Sequence, residues 1–211
     1  MGRATPGGHG GKARRRLLAV LQVLATLLCG CGAASPHTPS SGIPAALLER
    51  ARPIGAGARF QPPAAGAAIG RCTPALGARI AVHVEVFAAN RVVIVAAGVG
   101  ARGPLRFSAG QVIGARCYGD LVTLEPTGVV LVRAQARLRL SSLFHAWGQP
   151  LSPSRLASFR APRGTHVSVF VDGRRWQRAP GDVPLSAHAE IVLEVGPHVP
   201  PHSSYTFPAG S

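Results

Sequence analysis

His83 and Glu85 stand two residues apart in the run RIAVHVEVF at 79–87. Residues two apart on an extended chain share one face of a strand, so this imidazole and carboxylate could act together as an acid–base or ligand pair. Glu125 is the further acid that a folded-back chain could bring to them. His188 and Glu190 repeat the two-residue spacing. His198 and His202 are four apart, but Pro200 and Pro201 between them deny a helical face, which leaves a flexible pair able to hold a metal only weakly. His166 and His145 are expected at the surface. A histidine on the polar face of a strand is most often simply solvated. His83, Glu85 and Glu125 therefore make a weak ligand site at most, with no catalytic residue, no tight metal and no cofactor expected. Nucleophile chemistry has no support either: the chain contains no G-x-S-x-G elbow, no H-E-x-x-H, no P-loop and no dinucleotide fingerprint. An enzyme is the minority reading.

The four cysteines divide by position. Cys29 and Cys31 close the segment RRRLLAVLQVLATLLCGC at 14–31, in which a basic flank precedes a short apolar run. That pattern predicts an export signal, too short to span a bilayer, which takes about 20 apolar residues. Leu28-Cys29-Gly30-Cys31 resembles a bacterial lipobox, which implies cleavage before Cys31 and acylation of its sulfur. The alternative is an uncleaved anchor. Cys72 and Cys117 have no neighbours at metal-ligand spacing, and an even pair in an oxidising compartment predicts a structural disulfide.

Without residues 1–30 the chain carries 18 Arg (23 basic residues less the five of the leader) against 8 acids, a formal charge of +10. The arginines are scattered and aromatics are few, so no nucleic-acid interface is expected. A solvated surface is the plainer use of this charge, with anionic headgroups or wall polymers as the alternative partners.

Residues 33–41 are rich in Ser, Pro and Ala and predict a flexible tether. Residues 44–51 predict a short helix, 52–68 little structure, and the fold is expected to begin near Cys72. Period-two alternation predicts a strand at 79–87 returning at 91–96, with further strands at 105–107, 121–124, 129–133 and 138–140. Ser141 is expected to cap a helix at 142–147 that Gly148 stops. HVEVFAANR at 83–91 recurs as HVSVFVDGR at 166–174, with five positions of nine identical, and Asp172-Gly173 is a hairpin signal. A strand at 189–195 and a proline-rich tail anchored by Tyr205 and Phe207 complete the chain. The expected fold is mainly β, two small repeated β-hairpin modules with one short helix. The expected divisions are a signal peptide at 1–30, a lipid-anchored tether at 31–70, modules at 71–152 and 153–196, and an extended tail at 197–211.

From Cys72 onward the chain also resembles an uncharacterised family of exported bacterial proteins. HVEVF, AAGVG at 96–100, CY at 117–118, FHAWGQPLS at 144–152 and the closing FPAG carry the likeness, the W-G-Q-P-L block most specifically. The family pattern has an H-x-H-x-H hairpin and an L-H-T-H-D segment, and the resemblance implies histidines converging from neighbouring strands. Here the hairpin positions hold Arg79, Ala81 and His83, the second segment holds Val122, Leu124 and Glu125, and a later histidine position holds Leu131. A site built on those histidines is expected to be lost, with Arg79 adding positive charge to it. The reading is a lipid-anchored protein on the outer face of a bacterial cytoplasmic membrane, serving in binding or scaffolding. The alternative is a metal-binding or redox accessory protein with a degenerate histidine site.

Overall fold

A computed structural model describes residues 51–208. The signal, Cys31, the tether through residue 50 and all but the last residue of the helix expected at 44–51 lie outside the described residues. The architecture is mainly β. Among the described residues there are fourteen strands and one α-helix: β1 (Arg79–Ala88), β2 (Arg91–Val92), β3 (Ala101–Arg102), β4 (Arg106–Ser108), β5 (Gln111–Gly114), β6 (Cys117–Tyr118), β7 (Leu121–Val122) and β8 (Val129–Arg133) precede helix α1 (Leu140–Trp147), and β9 (Leu151–Ser152), β10 (Arg155–Leu156), β11 (Phe159–Arg160), β12 (Ser168–Val171), β13 (Arg174–Arg175) and β14 (Glu190–Val195) follow it.

The principal sheet runs β13-β12-β14-β1-β8-β7, with β2 paired to the far end of β1. Strand β1 is its centre. It pairs parallel with β14, from His83 opposite Glu190 to Ala88 opposite Val195, and antiparallel with β8, from Arg79 opposite Arg133 to His83 opposite Val129. Pleating sends Val82, Val84 and Val86 to one face with Ile191 and Leu193, where they join Leu140, Leu143, Phe144 and Trp147 of α1 in the main core. The opposite face carries His83, Glu85 and Phe87 from β1 and Glu190, Val192 and Glu194 from β14. The alternation in 79–87 predicts a strand with one wet face, yet His83 and Phe87 are buried as well. The chain after Gly196 lies across them. Phe87, Phe170, Val192 and Val199 form a second, smaller cluster beneath it.

Helix α1 starts at Leu140 and not after a Ser141 cap. Arg139 precedes it in extended conformation with no side-chain cap bond. The Leu140 N–H donates to the Val183 carbonyl at 2.8 Å, a tertiary bond that satisfies one of the four first-turn donors the helix itself leaves unpaired. That contact also accounts for the missing strand at 138–140, where only an isolated bridge, Arg139 to Pro184, forms. Gly148 ends the helix as expected, at φ 76°.

Residues 53–69, read from composition as tether, are packed against the core. Gly55 N–H donates to the Val92 carbonyl, Ile94 N–H to the Phe60 carbonyl, and Trp147 Nε1–H to the Pro62 carbonyl at 3.1 Å. Such a Gly-, Ala- and Pro-rich stretch supplies few large apolar side chains, but its backbone N–H and C=O groups still bond to the sheet and the helix, which composition does not register. The disulfide joins Cys72 to Cys117 with Cα atoms 5.3 Å apart.

Both matched hairpins form, and in the same register: Ala88 pairs Arg91 as Val171 pairs Arg174. Each turn has two central residues at positive φ, Ala89 and Asn90 in one, Asp172 and Gly173 in the other. That is the primed-turn geometry two-residue hairpins favour. Both belong to one sheet, with β14 hydrogen-bonded between β1 and β12.

Candidate functional site

The second face of the principal sheet gathers three carboxylates and three imidazoles. His83 Nδ1 lies 2.7 Å from Glu190 Oε2, and both groups are buried. The parallel register sets them opposite each other, so the contact is built into the pairing of β1 with β14. His83 Nε2 lies 3.0 Å from the Thr127 carbonyl, which can only accept. Nε2 therefore carries a proton, and the bond to Glu190 is made either by an imidazolium donating to a carboxylate or by a carboxyl donating to Nδ1. Glu190 Oε1 is buried and has no hydrogen-bond partner. Burial pushes the Glu190 carboxyl above its usual range, partly offset by the bond from His83.

The tail supplies the other two imidazoles. His202 Nδ1 lies 2.8 Å from Glu85 Oε2, and His198 Nδ1 lies 2.7 Å from Glu194 Oε1. Val199 N–H donates to the other Glu194 oxygen at 2.7 Å. Tyr205 stacks on the His83 ring with centroids 3.7 Å apart and planes 14° apart, and its edge meets Phe207, whose ring lies 5.0 Å from that of His188. The prolines that exclude a helix here let the tail run extended, so His198 and His202 reach separate sheet carboxylates and do not act as a pair.

Of the residues singled out from sequence, His83 and Glu85 come together and Glu125 does not join them. Its carboxylate accepts from Gln111 Nε2 at 2.7 Å, on an exposed loop. The acid that completes the group is Glu190: His83, Glu85 and Glu190 each offer a ligand atom, all within 4.8 Å of one another. Sequence spacing tied Glu190 to His188, but strand pairing across the fold ties it to His83. A signal for Glu190 existed, since it and Glu194 break an otherwise apolar strand, EIVLEV, on the face they share with Val192. Arg79, expected to add charge at the lost-histidine positions, donates to the carbonyl of one of them, Leu131, at 3.4 Å. Its guanidinium also donates to the carbonyls of Leu76 and Gly119.

An open cleft of about 210 Å³ borders the group, lined by His83, Glu85, Val92, Pro126, Thr127 and Gly128 among others. The arrangement suits proton sharing and cation coordination. Both remaining thiols of the described chain, Cys72 and Cys117, are consumed by their disulfide, so neither is a nucleophile. No protein-family model, no curated protein and no solved structure matches this chain.

Proposed function

We propose that the chain is an exported lipoprotein held by Cys31 at the outer face of a bacterial cytoplasmic membrane, serving there in binding or scaffolding rather than catalysis. The observation that carries the reading is the Cys72–Cys117 disulfide, which belongs to an oxidising compartment. The basic and apolar run ending at Cys31 supplies a route to that compartment. No helix among the described residues is long and apolar enough to cross a membrane. Anionic headgroups or wall polymers are the partners that the arginine excess would favour.

The resemblance to the uncharacterised exported family is part of the proposal. Ala81 pairs with Leu131, and Leu131 with Val122, in one row across β1, β8 and β7. These are three of the positions where the family pattern has histidine, and their alignment supports the view that its histidines converge. The equal registers of the two hairpins likewise support an ancestral duplication, absorbed into one sheet.

Fractionation of cells making the full chain tests the anchor. The wild type is expected with membranes, with a diacylglyceryl group on Cys31 by mass spectrometry. Cys31→Ser is expected to be released or left uncut. An unmodified, uncleaved N-terminus in the wild type would exclude the lipoprotein reading.

A further inference from the structure

We propose that His83 Nδ1, Glu85 and Glu190, completed by His202 from the C-terminal tail, bind one divalent first-row transition-metal ion. This goes beyond the tethering reading and does not depend on the lipid.

The sheet delivers three donors from two hydrogen-bonded strands, with ligand atoms within 4.8 Å of one another. Zinc bonds to imidazole nitrogen and carboxylate oxygen are about 2.0–2.2 Å, so a tetrahedral shell places its donors about 3.4 Å apart. Side-chain movements of about 1 Å close that difference. His202 Nδ1 already touches Glu85, which puts a fourth donor at the edge of the group. Two imidazoles and two carboxylates make a closed donor set of a kind zinc accepts, and the two carboxylates balance the charge of the ion.

Glu190 itself points to a cation. It is 1 % exposed, and its Oε1 has no partner. A buried, unpaired carboxylate oxygen is costly, and a bound cation would remove that cost. His83 is already set as a ligand. Its Nε2–H donates to the Thr127 carbonyl, the kind of second contact that fixes the tautomer and ring orientation of a metal-bound histidine. Tyr205 stacks on a face of the ring. The ion would take the place of the proton between His83 Nδ1 and Glu190, with the cleft beside Thr127 as a way in. Because His202 belongs to the tail, the ion would also fasten the tail to the sheet.

Calorimetric titration of the full chain with zinc at neutral pH tests the site. The expected result is one zinc per chain with a submicromolar Kd. Glu190→Gln and His83→Ala should each weaken it at least about tenfold, the scale on which even supporting contacts of a metal matter. His202→Ala should weaken it less, because the three sheet donors persist. Circular dichroism and an intact Cys72–Cys117 disulfide verify that each variant is folded. A readout needing no variant is cobalt substitution in the wild type, expected to give the visible bands of a four-coordinate nitrogen and oxygen site. A cobalt–thiolate band, zinc affinity unchanged in folded Glu190→Gln and His83→Ala, or no stoichiometric binding in the wild type would each overturn the proposal.

Discussion

At the scale of single residues, the chemistry centres on Glu190. An ordinary carboxyl titrates near pH 4 in an unfolded chain, about 4.3 for Glu. Burial raises Glu190 above that in the folded metal-free protein, against the opposing bond from His83 and with smaller contributions from Glu85 and His202. Between the two values the folded state holds a proton that the unfolded state has released. Stability from this group is therefore fully present below the unfolded pKa and is lost as pH rises through the folded one. In the presence of a chelator, denaturant midpoints of the wild type should fall across that window relative to Glu190→Gln, whose side chain does not titrate. Parallel midpoint-versus-pH curves for the two proteins would contradict this. Glu125→Gln, on its exposed loop, should leave both the midpoints and any zinc binding unchanged.

At the scale of elements, the C-terminal tail and the disulfide each tie together segments distant in sequence. Truncation after Gly196 removes Val199 from the small cluster, strips Glu194 of His198 and the Val199 N–H, and uncovers His83. Loss of the buried Val199 side chain alone is worth about 1.5 kcal/mol or more. The truncated chain should unfold at lower denaturant by at least that free energy, and its newly exposed apolar face should bind a hydrophobic dye. An unshifted midpoint would mean that the tail only lies against the sheet without stabilising it. The Cys72–Cys117 bridge closes a loop containing β1 through β5. Opening it with paired Cys72→Ser and Cys117→Ser changes should cost on the order of 3 to 4 kcal/mol in the chain-entropy model. Chemical denaturation of oxidised and bridge-free protein measures that difference.

At the scale of the whole molecule, strands from both halves of the described chain interlock in one sheet. The parallel pair β1 and β14 is the joint, and it closes a long loop, His83 and Glu190 being 107 positions apart, whose entropy must be lost before the pairing is gained. Folding should accordingly be slow for a chain of this size. Separate expression of residues 51–152 and 153–211 should yield two unfolded or aggregating fragments, because each leaves an unpaired edge of the central sheet. Cooperative unfolding of either fragment alone would show that the two hairpin units fold independently.

Much was legible locally. The strand at 79–87, the strand at 129–133, the Asp172-Gly173 turn, the stop at Gly148 and the Cys72–Cys117 pairing all rest on short-range signals: alternation, positive-φ residues, and two cysteines without other partners. His83 and Glu85 on one strand face follow from the same two-residue period. Other features depend on which distant segments meet, and local pattern carries no such information. The early start of α1 is set by the Val183 carbonyl, the ordering of residues 53–69 by the sheet and helix beneath them, and the burial of the face holding His83 by a tail over a hundred residues away. Glu190 became the partner of His83, in place of Glu125, because β14 pairs in parallel with β1. Strand register is decided by the packing of both sheet faces at once, and only the folded chain contains that interaction.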